Sequence, residues 1–242
     1  MADVGISVET AADVAKEAAD FVLLKQSLSV LRAGILQGRR TFANTLKYIY
    51  TTTSANFGNM ISMAGASMFL PFLPLLAKQI LLNNFLSDFP AVGIPTDNVD
   101  EEMLKKPRRW NVRSIRAFMV VFGLVSSLFD FATFGLLLFV AKANEPTFQT
   151  AWFIESLLSE LVIALVVRTR KLFFKSRPGR LLWVSTLVAA IATLVIPYLP
   201  VMRLMGFVPL PLWLLASLVG LTLVYVAAAE VAKKLFFRKF TD

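Results

Sequence analysis

The sequence contains no cysteine and no histidine among its 242 residues. Without cysteine the chain can form no disulfide, no thiol nucleophile and no thiolate metal site. Without histidine it lacks a common zinc ligand and the usual general base near neutral pH. Any metal site in this chain must therefore be built from oxygen ligands.

Charged residues are also scarce, because only 17% of the residues are Asp, Glu, Lys or Arg, whereas 57% are apolar. Soluble domains are about 45–50% apolar, and a helix that crosses a membrane needs about 20 mainly apolar residues. The sequence contains six such segments, one of them more polar than the rest. We therefore predict an all-α polytopic membrane protein with six transmembrane helices, at about residues 46–70, 75–94, 117–141, 148–167, 181–199 and 210–231.

Basic residues outnumber acidic ones by 25 to 16, and segments rich in basic residues alternate along the chain with connections that have almost none. Segments 95–116, 168–180 and 232–242 carry six, six and four Lys or Arg, whereas the connections between them carry at most one each. Because Lys and Arg gather on the cytoplasmic side, this pattern predicts six crossings with both termini cytoplasmic. It explains the net charge of +9 without nucleic acid as a partner, and it places the basic tail next to membrane lipids.

The first 29 residues do not fit a membrane span. Apolar stretches at 4–8 and 21–24 predict short strands, and residues 11–19 predict a helix between them. Since two strands and one helix cannot bury a core, we interpret residues 1–29 as a small α/β remnant of a larger domain.

Residues 30–45 are amphipathic and run without a breaker into the first predicted span. This pattern predicts a stalk helix that connects a soluble domain to the membrane part, residues 46–242. The alternative for the same residues is an amphipathic helix that lies on the membrane surface.

Polar side chains recur inside the first two predicted spans. Asn56 and Asn59 are three residues apart and share one helical face, as do Asn84, Ser87 and Asp88 on the next span. If a tight turn at residues 71–74 packs the two spans antiparallel, the two polar stripes meet. One carboxylate and several neutral oxygens suit a hard cation that keeps part of its water, as Mg²⁺ does, better than a dehydrated Ca²⁺ ion.

An alternative without any ion stays open for Asn56, Asn59 and Ser87, because such side chains also join membrane helices by hydrogen bonds. Asp88 favours an ion path, since an ionised Asp in the middle of a membrane helix costs about 2.5–3.5 kcal/mol on insertion scales. Pro90 strengthens this interpretation, because a proline removes a helix hydrogen bond and can free carbonyl oxygens.

Three further acids lie in later spans. Glu155 and Glu160 are five residues apart, which is roughly 140° around a helix, so at most one of them can join the site. Glu160 lies deeper and is the predicted site residue. Glu155 is a candidate for lining the exit of the cation path. Asp130 is a candidate for a structural contact with another helix.

Two parts of the sequence resemble P-type cation-transporting ATPases. Residues 2–7, Ala-Asp-Val-Gly-Ile-Ser, and 14–20, Val-Ala-Lys-Glu-Ala-Ala-Asp, resemble the segment that follows the Gly-Asp-Gly-x-Asn-Asp hinge motif of that family. Residues 54–59, Ser-Ala-Asn-Phe-Gly-Asn, resemble its fifth transmembrane helix, and residues 84–90, Asn-Phe-Leu-Ser-Asp-Phe-Pro, its sixth. The resemblance implies that the six spans are family helices five to ten, and that the Asn, Ser and Asp of the sixth helix coordinate the cation.

The magnesium-transporting subgroup is the most similar. Residues 94–100, Ile-Pro-Thr-Asp-Asn-Val-Asp, and 106–110, Lys-Pro-Arg-Arg-Trp, resemble it. Calcium pumps carry a glutamate at the place of Asn59, so the amide here argues against a calcium site. The resemblance to the magnesium subgroup implies Mg²⁺ as the transported ion.

The resemblance also implies what must lie outside this sequence. The family's phosphorylated Asp-Lys-Thr-Gly-Thr motif, its nucleotide-binding and actuator domains and its proline-broken fourth helix have no counterpart here. We therefore interpret the chain as the C-terminal part of a pump of the plasma membrane that uses ATP only when complete. The alternative is a self-contained, ATP-independent cation pathway or an accessory membrane subunit, for which the α/β remnant would have no use.

Overall fold

The computed structural model describes residues 4–25 and 27–240. The predicted N-terminal unit and the C-terminal tail extend to residues 1–3, 26, 241 and 242, which lie outside the described residues. The described elements, in chain order, are β1 (Ile6–Val8), α1 (Asp13–Glu17), β2 (Phe21–Leu23), α2 (Leu28–Ser67), α3 (Ala77–Ala91), α4 (Glu101–Leu104), α5 (Val112–Gly135), α6 (Glu145–Val167), α7 (Arg180–Val195) and α8 (Leu212–Lys239). Short 3₁₀ turns occupy Ile94–Thr96, Phe173–Lys175, Ile196–Tyr198 and Pro200–Met205, and a π-helical segment, Leu136–Val140, extends α5.

The N-terminal unit has the predicted order of strand, helix and strand. Strands β1 and β2 pair in parallel, with Ile6 opposite Phe21, and the backbone N–H of Gly5 donates to the Asp20 carboxylate at 2.7 Å. Phe21 and Val14 are nevertheless largely exposed, because the unit is too small to cover its own apolar side chains.

Helix α2 is one continuous helix of 40 residues, so the predicted stalk and the first predicted span form a single element. The side chain of Ser27 caps its start by accepting a hydrogen bond from the Ser29 backbone N–H. At about 1.5 Å per residue, α2 is about 60 Å long, roughly twice the ~30 Å thickness of the membrane hydrocarbon.

Four helices in the described part of the chain are long and apolar enough to cross a membrane, namely α5, α6, α7 and α8 with their helical extensions. They correspond to the third to sixth predicted spans. Helix α2 is too polar to meet this criterion, and α3, at 15 residues or about 22 Å, is too short. A mostly helical membrane fold is therefore confirmed, whereas the count of six crossings is not.

Helix α6 lies at the centre of the bundle, and most of its residues are buried. Its aromatic side chains pack on rings from its neighbours. The Trp152 ring centroid lies 4.9 Å from that of Phe134 in α5, and the Phe153 centroid lies 4.7 Å from that of Phe207, just before α8. The central position of α6 brings its polar residues close to α2, α3 and α5.

Glycines let α2 and α5 approach each other closely. A Cβ atom added to Gly123 would lie 3.2 Å from the Gly58 backbone nitrogen and 2.6 Å from the Phe57 side chain. The Ser127 hydroxyl donates to the Gly58 carbonyl at 3.1 Å across the same contact. Gly58 therefore lies where α2 and α5 approach each other closely.

The first two predicted spans do not pack closely on each other. Helices α2 and α3 are joined by residues 68–76, a longer connection than the predicted turn. Helix α2 packs mainly along α5, and α3 packs against α6 and α7. The polar stripes of α2 and α3 therefore border an open space, and α6 fills the third side of it.

Candidate cation site

The predicted cation ligands surround one cavity of about 260 Å³ between α2, α3 and α6. Five of the six line it: Asn56, Asn84, Ser87, Asp88 and Glu160. These residues come from three helices that are far apart in the sequence. The fold thus brings polar side chains of α2, α3 and α6 together around one cavity.

Helix α3 contributes the stripe that the sequence indicated. Asn84, Ser87 and Asp88 follow the i, i+3, i+4 spacing of one helical face and all reach the cavity. Pro90 ends this stripe inside the helix and has no N–H to donate to the carbonyl of Leu86. The Ser87 hydroxyl donates to the Asn84 carbonyl at 3.1 Å.

Asp88 and Asn84 are exposed, although an inward-facing, buried carboxylate was expected. Asn56 on α2 is exposed as well. The physical reason is the separation of α2 from α3, which leaves the cavity open between them. Asp88 thus presents an accessible carboxyl group to the cavity.

Helix α2 supplies more oxygens than sequence reasoning found. Tyr48, Thr51 and Thr52 line the cavity together with Asn56. Tyr48, Thr52 and Asn56 are spaced by four residues, the repeat of one helical face. That spacing is visible in the sequence and could have identified Tyr48 and Thr52.

Glu160 is the acid that α6 presents to the cavity, as predicted. It is partly buried, and Ser87 and Asn59 approach its carboxyl group from α3 and α2. The Asn83 amide donates to Glu160 Oε2 at 3.4 Å. Asp88 is close enough to interact electrostatically with Glu160, so the cavity brings two carboxyl groups together.

Asn59 does not line this cavity. It borders an adjoining space of about 10 Å³, where Glu160 also lies, and its Oδ1 accepts a hydrogen bond from Ser156 Oγ at 3.2 Å. Asn83 was missed by sequence reasoning because it lies outside the α3 stripe. Both amides contact Glu160 and hold its side chain in place.

Asp130 and Glu155 lie in a separate, fully buried cluster. Asp130 accepts hydrogen bonds from Ser62 Oγ at 2.6 Å and from Trp152 Nε1 at 2.8 Å, so it joins α5 to α2 and α6. Glu155 is buried next to Asp130 and does not line the cavity between α2, α3 and α6.

A buried ion-pair cluster fixes the end of the cavity near Ile94. Asp97 Oδ2 lies 2.6 Å from Lys47 Nζ and 3.5 Å from Arg168, and its Oδ1 accepts from the Gly179 N–H at 2.7 Å. The Asn44 amide donates to the carbonyls of Pro95 and Asp97. These contacts tie α2 to the segment after α3 and to the loop before α7.

Asp100 holds the same segment in place through hydrogen bonds from neutral hydroxyl groups. It accepts hydrogen bonds from Thr169 and, at 2.8 Å, from Ser176. Burial alone would raise the pKa of Asp100, but these hydrogen bonds and the charge of Lys171 outweigh burial and hold that pKa below its usual value. Asp100 is therefore ionised near neutral pH.

A larger cavity of about 730 Å³ lies between α2, the segment before α5 and the end of α8. Burial and the nearby charge of Arg170 lower the pKa of Arg108, and seven of the eight charged residues that line this cavity are basic. The charged residues that line this larger cavity are Lys47, Lys105, Lys106, Arg108, Arg109, Arg168, Arg170 and Glu102. Such a surface repels cations, so the smaller cavity is the candidate cation site.

The chemistry of the smaller cavity is that of oxygen. Two carboxyl groups, two amides and several hydroxyls face it, and these are the ligand types that hard cations prefer. Its volume leaves room for several waters beside an ion.

Comparison with known proteins identifies the family. Residues 72–235 match the model of the family described as "Cation transporting ATPase, C-terminus". The chain is 45% identical over 248 residues to the "Magnesium-transporting ATPase, P-type 1" of Salmonella typhimurium strain LT2, and 44% identical to the protein of the same name from Escherichia coli strain K12. It is 27% identical over 208 residues to the "Calcium-transporting ATPase" of Bacillus subtilis strain 168, an alignment that covers 82% of this chain and 23% of that protein.

The two magnesium-transporting relatives align with 99% of this chain, and the chain spans 27% of their length. The matched model covers more than half of the chain and includes α3 and Glu160. The chain belongs to the P-type cation-transporting ATPase family, of which it represents the C-terminal membrane region.

Proposed function

We propose that this chain forms the cation-transport part of an ATP-driven Mg²⁺ pump, and that the cation binds in the cavity between α2, α3 and α6. The observation that supports this function most directly is the convergence of Asn56, Asn84, Ser87, Asp88 and Glu160 on one cavity. In this proposal Asp88 and Glu160 supply negative charge, and Asn59, which lies outside the cavity, holds Glu160 in position.

Mg²⁺ is the proposed ion for two reasons. The cavity combines few carboxyl groups with neutral oxygens and space for water, as suits an ion that keeps part of its hydration shell. The magnesium-transporting relatives are also more similar to this chain than the calcium-transporting relative from Bacillus subtilis.

ATP chemistry belongs to other domains of the complete pump in this proposal. The paired strands β1 and β2 would join the phosphorylation domain, and α2 would carry its movements to the cavity. We place the protein in the plasma membrane, in contact with its lipids, with both termini cytoplasmic, since the basic segments alternate with nearly uncharged ones.

The test is performed on the complete pump, reconstituted in liposomes. Asp88→Asn and Glu160→Gln remove one negative charge each and keep the size of the side chain. Each variant is expected to raise the Mg²⁺ concentration for half-maximal ATP hydrolysis by at least roughly tenfold, the effect typical of damaged metal sites, and to reduce Mg²⁺ uptake.

Glu145→Gln is the matched control. Glu145 is exposed at the start of α6, about 22 Å along the helix from Glu160, and loses the same charge. If Asp88→Asn and Glu160→Gln transport Mg²⁺ as well as Glu145→Gln does, the cavity is not the cation site.

A further inference from the structure

Asp130 and Glu155 form a pair of carboxyl groups inside the bundle, apart from the cation cavity. Both residues are only 1% exposed. Asp130 of α5 accepts a hydrogen bond from Trp152 of α6, and Glu155 lies three residues further along the same face of α6, so the two carboxyl groups are neighbours. Two ionised carboxylates in contact, away from water, repel each other strongly, so the pair needs a proton or a cation.

The surroundings of the pair offer hydrogen-bond donors but no positive side chain among the described contacts. On α2, Ser62 faces Asp130 with its hydroxyl, and on α6, Trp152 faces it with its indole N–H. Tyr225 of α8 is the remaining titratable group that interacts electrostatically with both acids, and it is neutral at physiological pH.

The two acids differ in how well a negative charge on each would be stabilised. Asp130 accepts two short hydrogen bonds, which stabilise its ionised form. Glu155 Oε2 is buried and has no hydrogen-bond partner within the part of the chain that the structure describes. An ionised Glu155 would therefore carry an unsupported charge, whereas a protonated Glu155 can donate to Asp130.

We propose that Asp130 and Glu155 together bind one proton, held on Glu155 and donated to the Asp130 carboxylate. The ligand of this site is H⁺ itself, and the reversible step is the formation of one O–H bond on Glu155. In this state the pair carries one negative charge, and every short contact of Asp130 is a donor to it. The proposal does not depend on which cation the neighbouring cavity binds.

Infrared spectroscopy of the purified full chain in lipid nanodiscs tests the proposal at neutral pH. We expect the C=O stretching band of a protonated carboxylic acid, with the shift to lower frequency that deuterium exchange produces. The double variant Asp88→Asn, Glu160→Gln removes both cavity carboxyl groups and leaves the pair intact. A band of this kind should persist in this double variant, because the pair remains after both cavity carboxyl groups are removed.

Glu155→Gln should lose the band and remain folded, because the glutamine amide can donate to Asp130 in place of the acid. Circular dichroism checks that the helices are retained. Absence of the band in the unaltered chain, its loss in the double variant, or its survival in folded Glu155→Gln would each overturn the proposal. If Glu155→Gln does not fold, loss of the band in the double variant still overturns the proposal, since the pair is unchanged there.

Discussion

Two aspartates of this chain, Asp97 and Asp88, occupy opposite environments. The Asp97 side chain is fully buried, and Lys47 and Arg168 approach it directly. Asp88 is exposed at the open side of the cavity. A carboxylate that is paired and buried holds helices in place, whereas a carboxylate that is accessible next to neutral oxygens can bind an ion. The difference assigns Asp97 to structure and Asp88 to the candidate site.

Replacement of Asp97 by Asn should destabilise the protein strongly. The change leaves Lys47 and Arg168 buried without their acid, and the loss of one partner of a buried ion pair costs about 3–5 kcal/mol. The measurement is the free energy of unfolding of the chain in detergent.

Glu102→Gln is the control for Asp97→Asn. Glu102 and Lys171 form an exposed ion pair at 3.7 Å, and such pairs contribute about 0–1 kcal/mol. An Asp97→Asn variant as stable as Glu102→Gln would show that the buried pair does not hold the cavity end together.

At the scale of elements, the crossing of α2 and α5 depends on two glycines. Gly123→Ala should reduce the free energy of unfolding by about 1–3 kcal/mol, because the added methyl group would overlap the Phe57 side chain and press on the Gly58 backbone. Chemical unfolding in detergent measures the change.

Gly135→Ala, on the same helix, is the matched control. An added Cβ at Gly135 meets no atom within 4 Å, so alanine there should stabilise the helix by roughly 0.5–1 kcal/mol. Equal effects of the two substitutions would contradict the role of close packing at the crossing.

The elements themselves were largely predictable, because helical periodicity is local. The strand–helix–strand order, the unbroken α2 and the stripe of Asn84, Ser87 and Asp88 all follow from neighbouring residues. The packing of α2 on α5 was not predictable, since the Gly58–Gly123 contact joins residues that are 65 positions apart. Distant contacts decide this part of the fold.

The site shows the same limit. Glu160 was selected by its depth in the membrane, but its contact with Asn83 joins residues 77 positions apart. Asp97 stood out in the sequence only as part of residues 94–100, because its partners Lys47 and Arg168 are 50 and 71 positions away. No local pattern marks a pair of that kind, whereas the repeat of Tyr48, Thr52 and Asn56 was available and overlooked.

For the whole molecule, the absence of cysteine makes orientation in the membrane directly measurable. Arg177 and Arg203 are both exposed and lie in connections on either side of α7. A membrane-impermeant maleimide added to intact cells should label Arg203→Cys. It should label Arg177→Cys only after the membrane is opened, because the basic connection is expected on the cytoplasmic side.

The unaltered chain, which has no thiol, is the control for background labelling. The opposite labelling pattern would reverse the orientation, and labelling of both variants in intact cells would show that α7 does not separate the two compartments.

The position of the Gly58–Gly123 contact along α2 has a mechanical consequence. About 45 Å of helix separate Gly58 from Leu28, and about 14 Å separate it from Ser67. A rigid tilt of α2 about this fulcrum would move the Leu28 end about three times as far as the Ser67 end. Asn56 and Asn59 lie beside the fulcrum and would hardly be displaced by such a tilt. Movement of the Leu28 end of α2 would therefore change mainly the orientation of these two amides and hardly their position. Such a change would turn their oxygens toward or away from Glu160.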